Sequence, residues 1–401
     1  MLNEIKGLTD ELFPEVVRLR RTIHRNPELA FEEHETARLV AETLALLNLD
    51  VQTGVAKTGI VATLRGGQPG PTVLLRADMD ALPIQEESEV DFVSQNAGKM
   101  HACGHDAHTA SLLGTAMILS RLREHVRGQV RFLFQPSEER MPGGARVMIE
   151  EGVLTAGSAG PAPGTVFGQH VMPTLPAGTI GVRSGMYMAS ADEIYFSVRG
   201  QGGHAAEPHK LRTDAVLAAS HLVVALQSII SRHCPPDVPS VLSIGRFIAD
   251  GATNIIPDTV RLEGTFRAMD ETWRFQAHDL MRRVAEHTAQ TFDAAIDVEV
   301  VVGYPALFNH PEQTAFTRTA AVDYVGEDHL VDLDLWFASE DFAYYLREVP
   351  GTFYLLGVGD PSGGAVHGLH TSRFTIDEEA LRVAPGFMAY LAWKYGIEAV
   401  L

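Results

Sequence analysis

The spacing of hydrophobic and polar residues predicts an α/β arrangement for the first part of the chain. Apolar residues recur at helical spacing near the start, and a second helix is predicted over 35–47; the first set is Leu12, Val16, Leu19 and Ile23. Three short runs rich in β-branched or apolar residues predict buried strands over 72–77, 130–134 and 165–168. A helix pattern over 107–122 separates the first two strands. This order is typical of a parallel sheet, which binds ligands at the carboxyl ends of its strands.

From about residue 192 the pattern changes to strand, helix, strand, strand, helix and strand. The predicted ranges are 193–198, 213–231, 241–248, 260–267, 271–292 and 296–302. This β-α-β-β-α-β order is that of a ferredoxin-like domain. A helix over 312–325 and a strand over 353–356 then resume the first pattern. We therefore expect one α/β domain with a mostly parallel central sheet, formed by 1–184 and 303–401, and an inserted α+β domain at 185–302.

Composition fits a globular protein and argues against several partners. A chain of 401 residues with 45% hydrophobic content can bury the cores of two domains. The net charge of -19 opposes binding to nucleic acid or anionic membranes. The first residues do not have the pattern of a signal peptide, and we expect no apolar run near the roughly 20 residues of a spanning helix. Two distant cysteines, Cys103 and Cys234, favour a reducing compartment, so we expect a cytoplasmic protein.

The most informative motif lies at 101–108, where three histidines and a cysteine directly precede a predicted helix. A helix N-terminus favours a thiolate, and thiolate and imidazole are ligands that zinc and similar ions prefer. A lone cysteine is more often a small buried hydrophobic residue. The neighbouring histidines reverse that preference, so Cys103 and His105 are candidate metal ligands.

Two adjacent carboxylates, Glu138 and Glu139, directly follow the strand predicted over 130–134. Neighbouring side chains on an extended segment point to opposite sides, so one can bind metal while the other faces a substrate. Paired glutamates are usually a solvated turn, because carboxylates are mostly exposed. Their position at a strand end favours the functional interpretation.

Further candidate ligands follow other predicted strands. His170 follows the strand over 165–168, His370 lies near the C-terminus, and the pair Asp78 and Asp80 follows the strand over 72–77. Each of these alone is more often a structural residue or part of a turn. Together with the other candidates they suit two divalent ions about 3.5–4 Å apart, with one bridging ligand. No G-x-S-x-G motif or phosphate-binding glycine loop is evident, which leaves metal-activated water as the candidate nucleophile.

These motifs resemble those of the co-catalytic metallopeptidases that include aminoacylases and carboxypeptidases. More narrowly, they resemble the amidohydrolase branch of hippurate hydrolase and the indole-acetyl-amino-acid hydrolases. The resemblance extends from 21–28 through 339–342 to His370, nearly the whole chain. Other branches commonly have a histidine in place of Asp78 and a carboxylate in place of Cys103, whereas the amidohydrolase branch characteristically has the cysteine. The resemblance implies a metallopeptidase-type catalytic domain and an inserted lid and dimerisation domain.

The resemblance also assigns roles at the metal centre. It makes Cys103 the ligand that bridges two ions, Glu138 the general base, and Asp80 an outer carboxylate that steadies a ligand. The remaining ligands form two pairs, one for each ion: Glu139 with His370, and His105 with His170. Zinc is the expected metal, with manganese, nickel and cobalt as alternatives for such mixed ligands.

In the inserted domain the resemblance singles out three residues. It implies that His204 stabilises the tetrahedral oxyanion, and that Asn254 and Arg267 help to hold the substrate carboxylate. Taken without the resemblance, each would be read as a surface residue. The resemblance further implies a homodimer in which His204 completes the neighbouring subunit's site. The strand over 241–248 could pair with its symmetry mate if it lies at a sheet edge.

The implied activity is metal-dependent hydrolysis of N-acyl amino acids to a carboxylate and a free amino acid. A dipeptidase or carboxypeptidase is the nearest alternative, because amide and peptide bonds require the same chemistry. A metal-binding protein without catalysis is a third. Structural zinc sites are closed and need no base, so the presence of Glu138 beside Glu139 argues against that third interpretation.

Overall fold

The computed structural model describes residues 1–157, 160–360 and 367–399, and the chain divides into two compact units. The larger unit comprises Met1–Gly185, Phe308–Asp334 and Asp341–Leu401, and the smaller comprises Met186–Leu307 and Leu335–Glu340. The hydrophobic pattern places the insertion at 185–302 and does not group 335–340 with it.

The helices are, in chain order, α1 Leu2–Arg25, α2 His34–Ala45, α3 His105–Arg121, α4 Gly144–Glu150, α5 Ala215–Ser228, α6 Glu271–Phe292, α7 Pro311–Val325, α8 Ala343–Glu348 and α9 Ala384–Glu398. A π-helical turn, Ile229–His233, continues α5. The strands are β1 Asp50–Val55, β2 Gly59–Arg65, β3 Gln68–Asp78, β4 Arg127–Gln135, β5 Thr165–Pro176, β6 Ile180–Val182, β7 Gly185–Met188, β8 Asp192–Arg199, β9 Gly203–His204, β10 Ser240–Ile248, β11 Ile255–Ile256, β12 Thr259–Ala268, β13 Ala295–Val302, β14 Leu307–Asn309, β15 Leu330–Asp332 and β16 Gly351–Gly359.

The larger unit is built on an eight-stranded sheet with the order β1-β2-β4-β3-β5-β16-β6-β15. The four central strands, β4, β3, β5 and β16, run parallel to one another, which confirms the predicted mostly parallel sheet. Their apolar runs are buried almost continuously, as expected for parallel strands covered on both faces. Helix α3 contacts α1, α9 and β3, and its residues 105–119 are all buried. This packing places the start of α3 beside the carboxyl ends of the central strands.

The smaller unit contains a four-stranded sheet with the order β10-β12-β8-β13, in which neighbouring strands are antiparallel. Its elements follow the predicted β-α-β-β-α-β order. Alternate residues of β8 are buried, so one face of the sheet packs against α5 and α6 and the other is more exposed. Strand β10 lies at an edge of this sheet.

The segment Ala215–His233 is long and apolar enough to cross a membrane by length and composition. The expectation that no apolar run would approach that length was therefore wrong. One third of its most apolar window, 33%, is buried, and its buried side chains join the core of the smaller unit. On the remaining surface of α5, Leu217 and Val224 are 48% and 72% exposed.

Candidate metal centre

The turn before α3 brings Cys103 and His105 against β5. Gly104 has φ +85°, a left-handed conformation that glycine adopts without strain. A Cβ atom at this position would lie 2.3 Å from Val171 Cγ2. Glycine therefore permits the turn to approach the strand that carries His170. The strand itself continues to Pro176, so His170 lies within β5 rather than at its end.

The five residues predicted as metal ligands converge into two overlapping groups. Cys103, His105 and His170 form one group and Cys103, Glu139 and His370 the other, and within each group the ligand atoms lie within 4.8 Å of one another. Cys103 Sγ is 3.4 Å from His170 Nε2 and 3.3 Å from His370 Nε2. Glu139 Oε1 is 3.1 Å from His370 Nε2. Because Cys103 belongs to both groups, its sulfur could serve as a ligand in either.

Hydrogen bonds orient two of the imidazoles. His105 Nδ1 lies 2.9 Å from the Asp80 carbonyl oxygen, and His170 Nδ1 lies 2.7 Å from the Val171 carbonyl oxygen. A carbonyl can only accept, so each Nδ1 donates, and Nε2 is the nitrogen of each ring that can serve as a metal ligand. His105 Nε2 is buried and has no hydrogen-bond partner among the described residues. This is the arrangement expected of metal-binding histidines.

The electrostatic surroundings of these ligands favour a cation. Burial, followed by the charge of Glu139, raises the pKa of the Cys103 thiol well above its ordinary value. Burial lowers the pKa of His105, but the carboxylates of Asp78 and Asp80 outweigh it and raise that pKa to about 10. Negative charge is thus in excess, and a bound cation would neutralise it and favour the thiolate. Thiolate, imidazole and carboxylate donors together fit divalent metal ions.

The glutamate pair is held through its backbone by Asp80. The two oxygens of this carboxylate accept hydrogen bonds from the backbone N–H groups of Glu138 and Glu139, both at 2.9 Å. Asp80 Oδ1 also lies 3.2 Å from His105 Nδ1. The carboxylate of Glu138 lies within 4.8 Å of ligand atoms of His105 and Glu139. Asp80 therefore connects a candidate ligand with the segment that carries the candidate base.

Asp78, which the sequence offers as a candidate ligand, forms a buried pair with His108. His108 Nδ1 lies 2.6 Å from Asp78 Oδ1, and His108 Nε2 accepts from the backbone N–H of Val171 at 2.9 Å. Burial lowers the pKa of His108. Burial raises the pKa of Asp78, but Arg76, whose Nη1 is 2.6 Å away, holds it well below its ordinary value. A neutral imidazole thus supports the backbone beside His170, and both of its nitrogens are already used.

A second buried network joins the ends of two strands. Arg76 donates to Gln135 Oε1 at 2.9 Å and to Asp341 Oδ1 at 2.8 Å. Gln135 Nε2 and the backbone N–H of Ala145 also donate to Asp341. Burial raises the pKa of Asp341 to about 6, although Arg76 opposes this. Arg76, Gln135 and Asp341 belong to separate sequence motifs. No pattern within any one of these motifs predicts that the three side chains contact one another.

The other three candidate residues lie in the smaller unit. His204, on β9, is exposed, and its Nδ1 accepts from the backbone N–H of Ala206 at 3.1 Å. Asn254 is also exposed. Its backbone carbonyl oxygen accepts from the backbone N–H of Ala205, the residue after His204, at 3.0 Å. Arg267, on β12, is half-buried, which lowers its pKa, and Nη1 donates to the Phe337 carbonyl at 3.3 Å. His204 and Asn254 are thus brought together by the pairing of β9 with β11.

A mostly parallel α/β sheet beside which two candidate metal-ligand groups share a thiol is the arrangement expected of a dinuclear metal-dependent hydrolase. Residues 74–394 match the family model described as peptidase family M20/M25/M40. The chain belongs to this family.

Comparison with individual proteins gives the same assignment. The chain is 43% identical over 309 residues to an N-acyl-L-amino acid amidohydrolase of Geobacillus stearothermophilus, covering 77% of this chain and 82% of that protein. It is 37% identical over 400 residues to thermostable carboxypeptidase 2 of Saccharolobus solfataricus, covering 98% and 99%. Among solved structures it is similar to a dinuclear metal-binding M20 peptidase of Bacillus subtilis, with a TM-score of 0.83, 35% identity and coverage of 97% and 99%. The chain is therefore a metal-dependent hydrolase of amide bonds.

Proposed function

We propose that this chain hydrolyses N-acyl amino acids to a carboxylate and a free amino acid. The observation that carries the proposal is the placement of Glu138 beside two ligand groups that share Cys103. The identity to a protein named as an N-acyl-L-amino acid amidohydrolase supports the substrate class. The two divalent ions, when bound, supply a coordinated water of lowered pKa and polarise the amide carbonyl.

In the larger unit, Glu138 transfers the proton of the attacking water. The Glu138 carboxylate accepts it from the attacking water and returns it to the leaving nitrogen. Cys103 would be a ligand of both ions, His105 and His170 would hold one of them, and Glu139 and His370 would hold the other. Asp80 fixes the backbone of both glutamates, so that the base is oriented before the substrate arrives.

The residues of the smaller unit bind the substrate. His204 donates a hydrogen bond to the oxyanion, and Asn254 and Arg267 hold the α-carboxylate of the amino acid. The exposure of His204 and Asn254 supports this role, because neither is used in a core. The guanidinium of Arg267 is half-buried, which lowers its pKa. A carboxylate bound beside it would stabilise its charge.

We further propose that the smaller unit, 185–302 in the sequence-based division, is the lid and dimerisation domain of an enzyme whose catalytic domain is formed by 1–184 and 303–401. An edge strand leaves backbone groups free to pair with a second copy, and β10 is such a strand. Exposed apolar side chains accompany it on β10 and α5: Val241, Phe247, Leu217 and Val224. These features support a homodimer.

Zinc is the proposed metal, with manganese, nickel or cobalt as alternatives, because sulfur, nitrogen and oxygen donors accept all four. We also propose a cytoplasmic location, since Cys103 can bind metal only as a reduced thiolate and a reducing compartment preserves it. Elemental analysis of protein purified without added metal would identify the ion that it carries.

A carboxypeptidase or dipeptidase activity is the second candidate, and the identity to a thermostable carboxypeptidase favours it. N-acetyl, N-benzoyl and indole-acetyl amino acids should be assayed beside dipeptides, with metal-replete protein, chelated protein and chelated protein given metal again. We expect N-acyl amino acids to be cleaved fastest, with turnover lost on chelation and restored by metal. Normal turnover by demetallated protein would refute the two-metal proposal, and faster cleavage of dipeptides would favour the second candidate.

A further inference from the structure

The buried carboxylate of Glu33, at the start of α2, contacts the segment that carries the glutamate pair. Its side chain is fully buried. Oε1 accepts from the backbone N–H of Ser137 at 2.8 Å and from the backbone N–H of Phe31 at 2.9 Å. Oε2 accepts from the hydroxyl of Thr58. One carboxylate thus ties together three segments that are far apart in the sequence.

The backbone that Glu33 holds is in an unfavourable conformation. Ser137 has φ +52° and Phe31 has φ +63°, and both are left-handed residues other than glycine. Such a conformation costs of order 1–3 kcal/mol and persists where surrounding contacts hold it. The oxygen shared by the two N–H groups is such a contact.

Ser137 directly precedes the candidate base. The next two N–H groups, those of Glu138 and Glu139, are bound by Asp80. Three consecutive backbone amides are therefore held by three oxygens of two buried carboxylates. A change of the backbone at Ser137 would redirect Glu138 relative to the ligands.

We propose that Glu33 is a positioning residue for the reaction, holding Ser137 in its left-handed conformation and thereby aiming the Glu138 carboxylate. This inference rests on the proposed role of Glu138 as general base. Glu33 acts through the Ser137 backbone and takes no part in the chemistry. Misplacement of a reacting group by about 1 Å can cost about 10²-fold in rate, so the effect of losing this hold is measurable.

Glutamine at position 33 should preserve the hold, and alanine should abolish it. The amide oxygen of Glu33→Gln can accept the same two N–H bonds, while the Thr58 hydroxyl can turn to accept from the new amide nitrogen. Glu28 provides a matched control, because its carboxylate also accepts two backbone bonds, from Glu35 at 3.0 Å and Thr36 at 2.9 Å. Those bonds lie at the start of α2 and not at Ser137.

The experiment measures kcat, KM, metal content and melting temperature of metal-replete wild type, Glu33→Ala, Glu33→Gln and Glu28→Ala. We expect Glu33→Ala to lose about 10- to 100-fold in kcat, with KM changed by less than about threefold and both metals retained. Glu33→Gln should restore most of kcat. Glu28→Ala should lower the melting temperature without a comparable loss of kcat.

Glu33→Ala with wild-type kcat, or Glu33→Gln as impaired as Glu33→Ala, would overturn the positioning role. So would an equal loss of kcat in Glu28→Ala. Should Glu33→Ala fail to fold, Glu33→Asp is judged by the same criteria, because it keeps the carboxyl group but shortens the reach to Ser137. Glu138→Gln in the same assay separates the general-base role of Glu138 from the positioning role of Glu33. If Glu138→Gln remains active, the proposed base is wrong. If Glu138→Gln is inactive while Glu33→Ala is fully active, only the positioning role is rejected.

Discussion

The two units place most of their candidate functional residues in different environments, although His370 in the larger unit is exposed and Arg267 in the smaller unit is half-buried. In the larger unit, His105 and His170 are buried, and each is oriented by a carbonyl oxygen. In the smaller unit, His204 and Asn254 are exposed, and the side chain of Arg267 donates to the Phe337 carbonyl. The fold therefore fixes the orientation of the two histidines of the larger unit, whereas the side chains of His204, Asn254 and Arg267 are less constrained.

This difference follows from the energetics of buried polar groups. A buried imidazole or carboxylate is costly unless its polar atoms have partners, and a bound metal ion would supply the partner that His105 Nε2 lacks among the described residues. An exposed residue carries no such cost and can take its final position with the substrate. Substitutions in the larger unit should therefore change metal content or the chemical step, while those in the smaller unit should change substrate recognition.

The largest expected effect is a loss of turnover in the larger unit, where two neighbouring glutamates should differ in their effect on metal content. Glu138→Gln removes the base but no proposed ligand, so it should retain both metals while losing about 10²–10⁴-fold in turnover. Glu139→Gln should lose metal as well, because it removes a proposed ligand. Elemental analysis beside turnover measurements checks this. Equal metal loss in both variants would show that the two roles are wrongly divided.

The candidate ligands could be predicted because they occur in compact motifs or after apolar runs. Cys103 and His105 are two residues apart, and Glu138 and Glu139 follow an unmistakable buried strand. The sheet core was predictable for the same reason, since its strands are continuous apolar runs. Helix α9 was missed, because a helix that is apolar on nearly all sides lacks the periodic pattern of a surface helix.

The supporting contacts could not be predicted, because they join residues far apart in the chain. Glu33 and Ser137 are separated by 104 positions, and Arg76 and Asp341 by 265. The sequence around Glu33 has the composition of an ordinary helix start. Strand β1 was missed because five of its six residues are at least partly exposed and do not alternate.

The next prediction tests whether the smaller unit acts on a neighbouring subunit. The family resemblance implies that His204 completes the partner's site. Mixing inactive Glu138→Ala with inactive His204→Ala under conditions of subunit exchange should then restore activity, to about one quarter of wild type for random exchange. Each mixed dimer would contain one intact site.

The restored activity should appear only with exchange, which mass measurement of differently tagged subunits can verify. If His204 acts within its own chain, each half of a mixed dimer keeps one lesion. Verified exchange without activity would therefore eliminate the action in trans and leave the metal chemistry unaffected. Val224→Asp offers a further control, since a charge on the exposed face of α5 should weaken the proposed dimer.

A smaller effect is expected for Arg267→Ala. A hydrogen bond between charged groups contributes about 1.5–3 kcal/mol, so KM for substrates with a free α-carboxylate should rise by about tenfold or more. The corresponding substrate amides should be affected less, and metal content should not change. A uniform rise of KM for acids and amides would indicate a structural role, through the bond of Arg267 to the Phe337 carbonyl.

The smallest expected effect is a pH dependence of stability that arises in the buried interior of the larger unit. Burial raises the pKa of Glu33 from its ordinary 4.5 to about 7, although the bond from Thr58 opposes this. Between about pH 4.5 and 7 the unfolded chain therefore releases this proton while the folded chain keeps it. The contribution of Glu33 to stability is full below that window and is lost as the pH rises through it.

Glu33→Gln lacks this titration, so the melting temperature of wild type should fall relative to that of Glu33→Gln by a few degrees between about pH 5 and about pH 8. Thr58→Val removes a hydrogen bond that lowers the pKa of Glu33. The decrease in melting temperature should therefore extend to higher pH in this variant. Arg267→Ala should keep the wild-type profile, which makes it the control from the smaller unit. Calorimetry of metal-replete proteins across this range checks the prediction. Parallel profiles for wild type and Glu33→Gln would show that the interior at Glu33 does not hold a proton in this window.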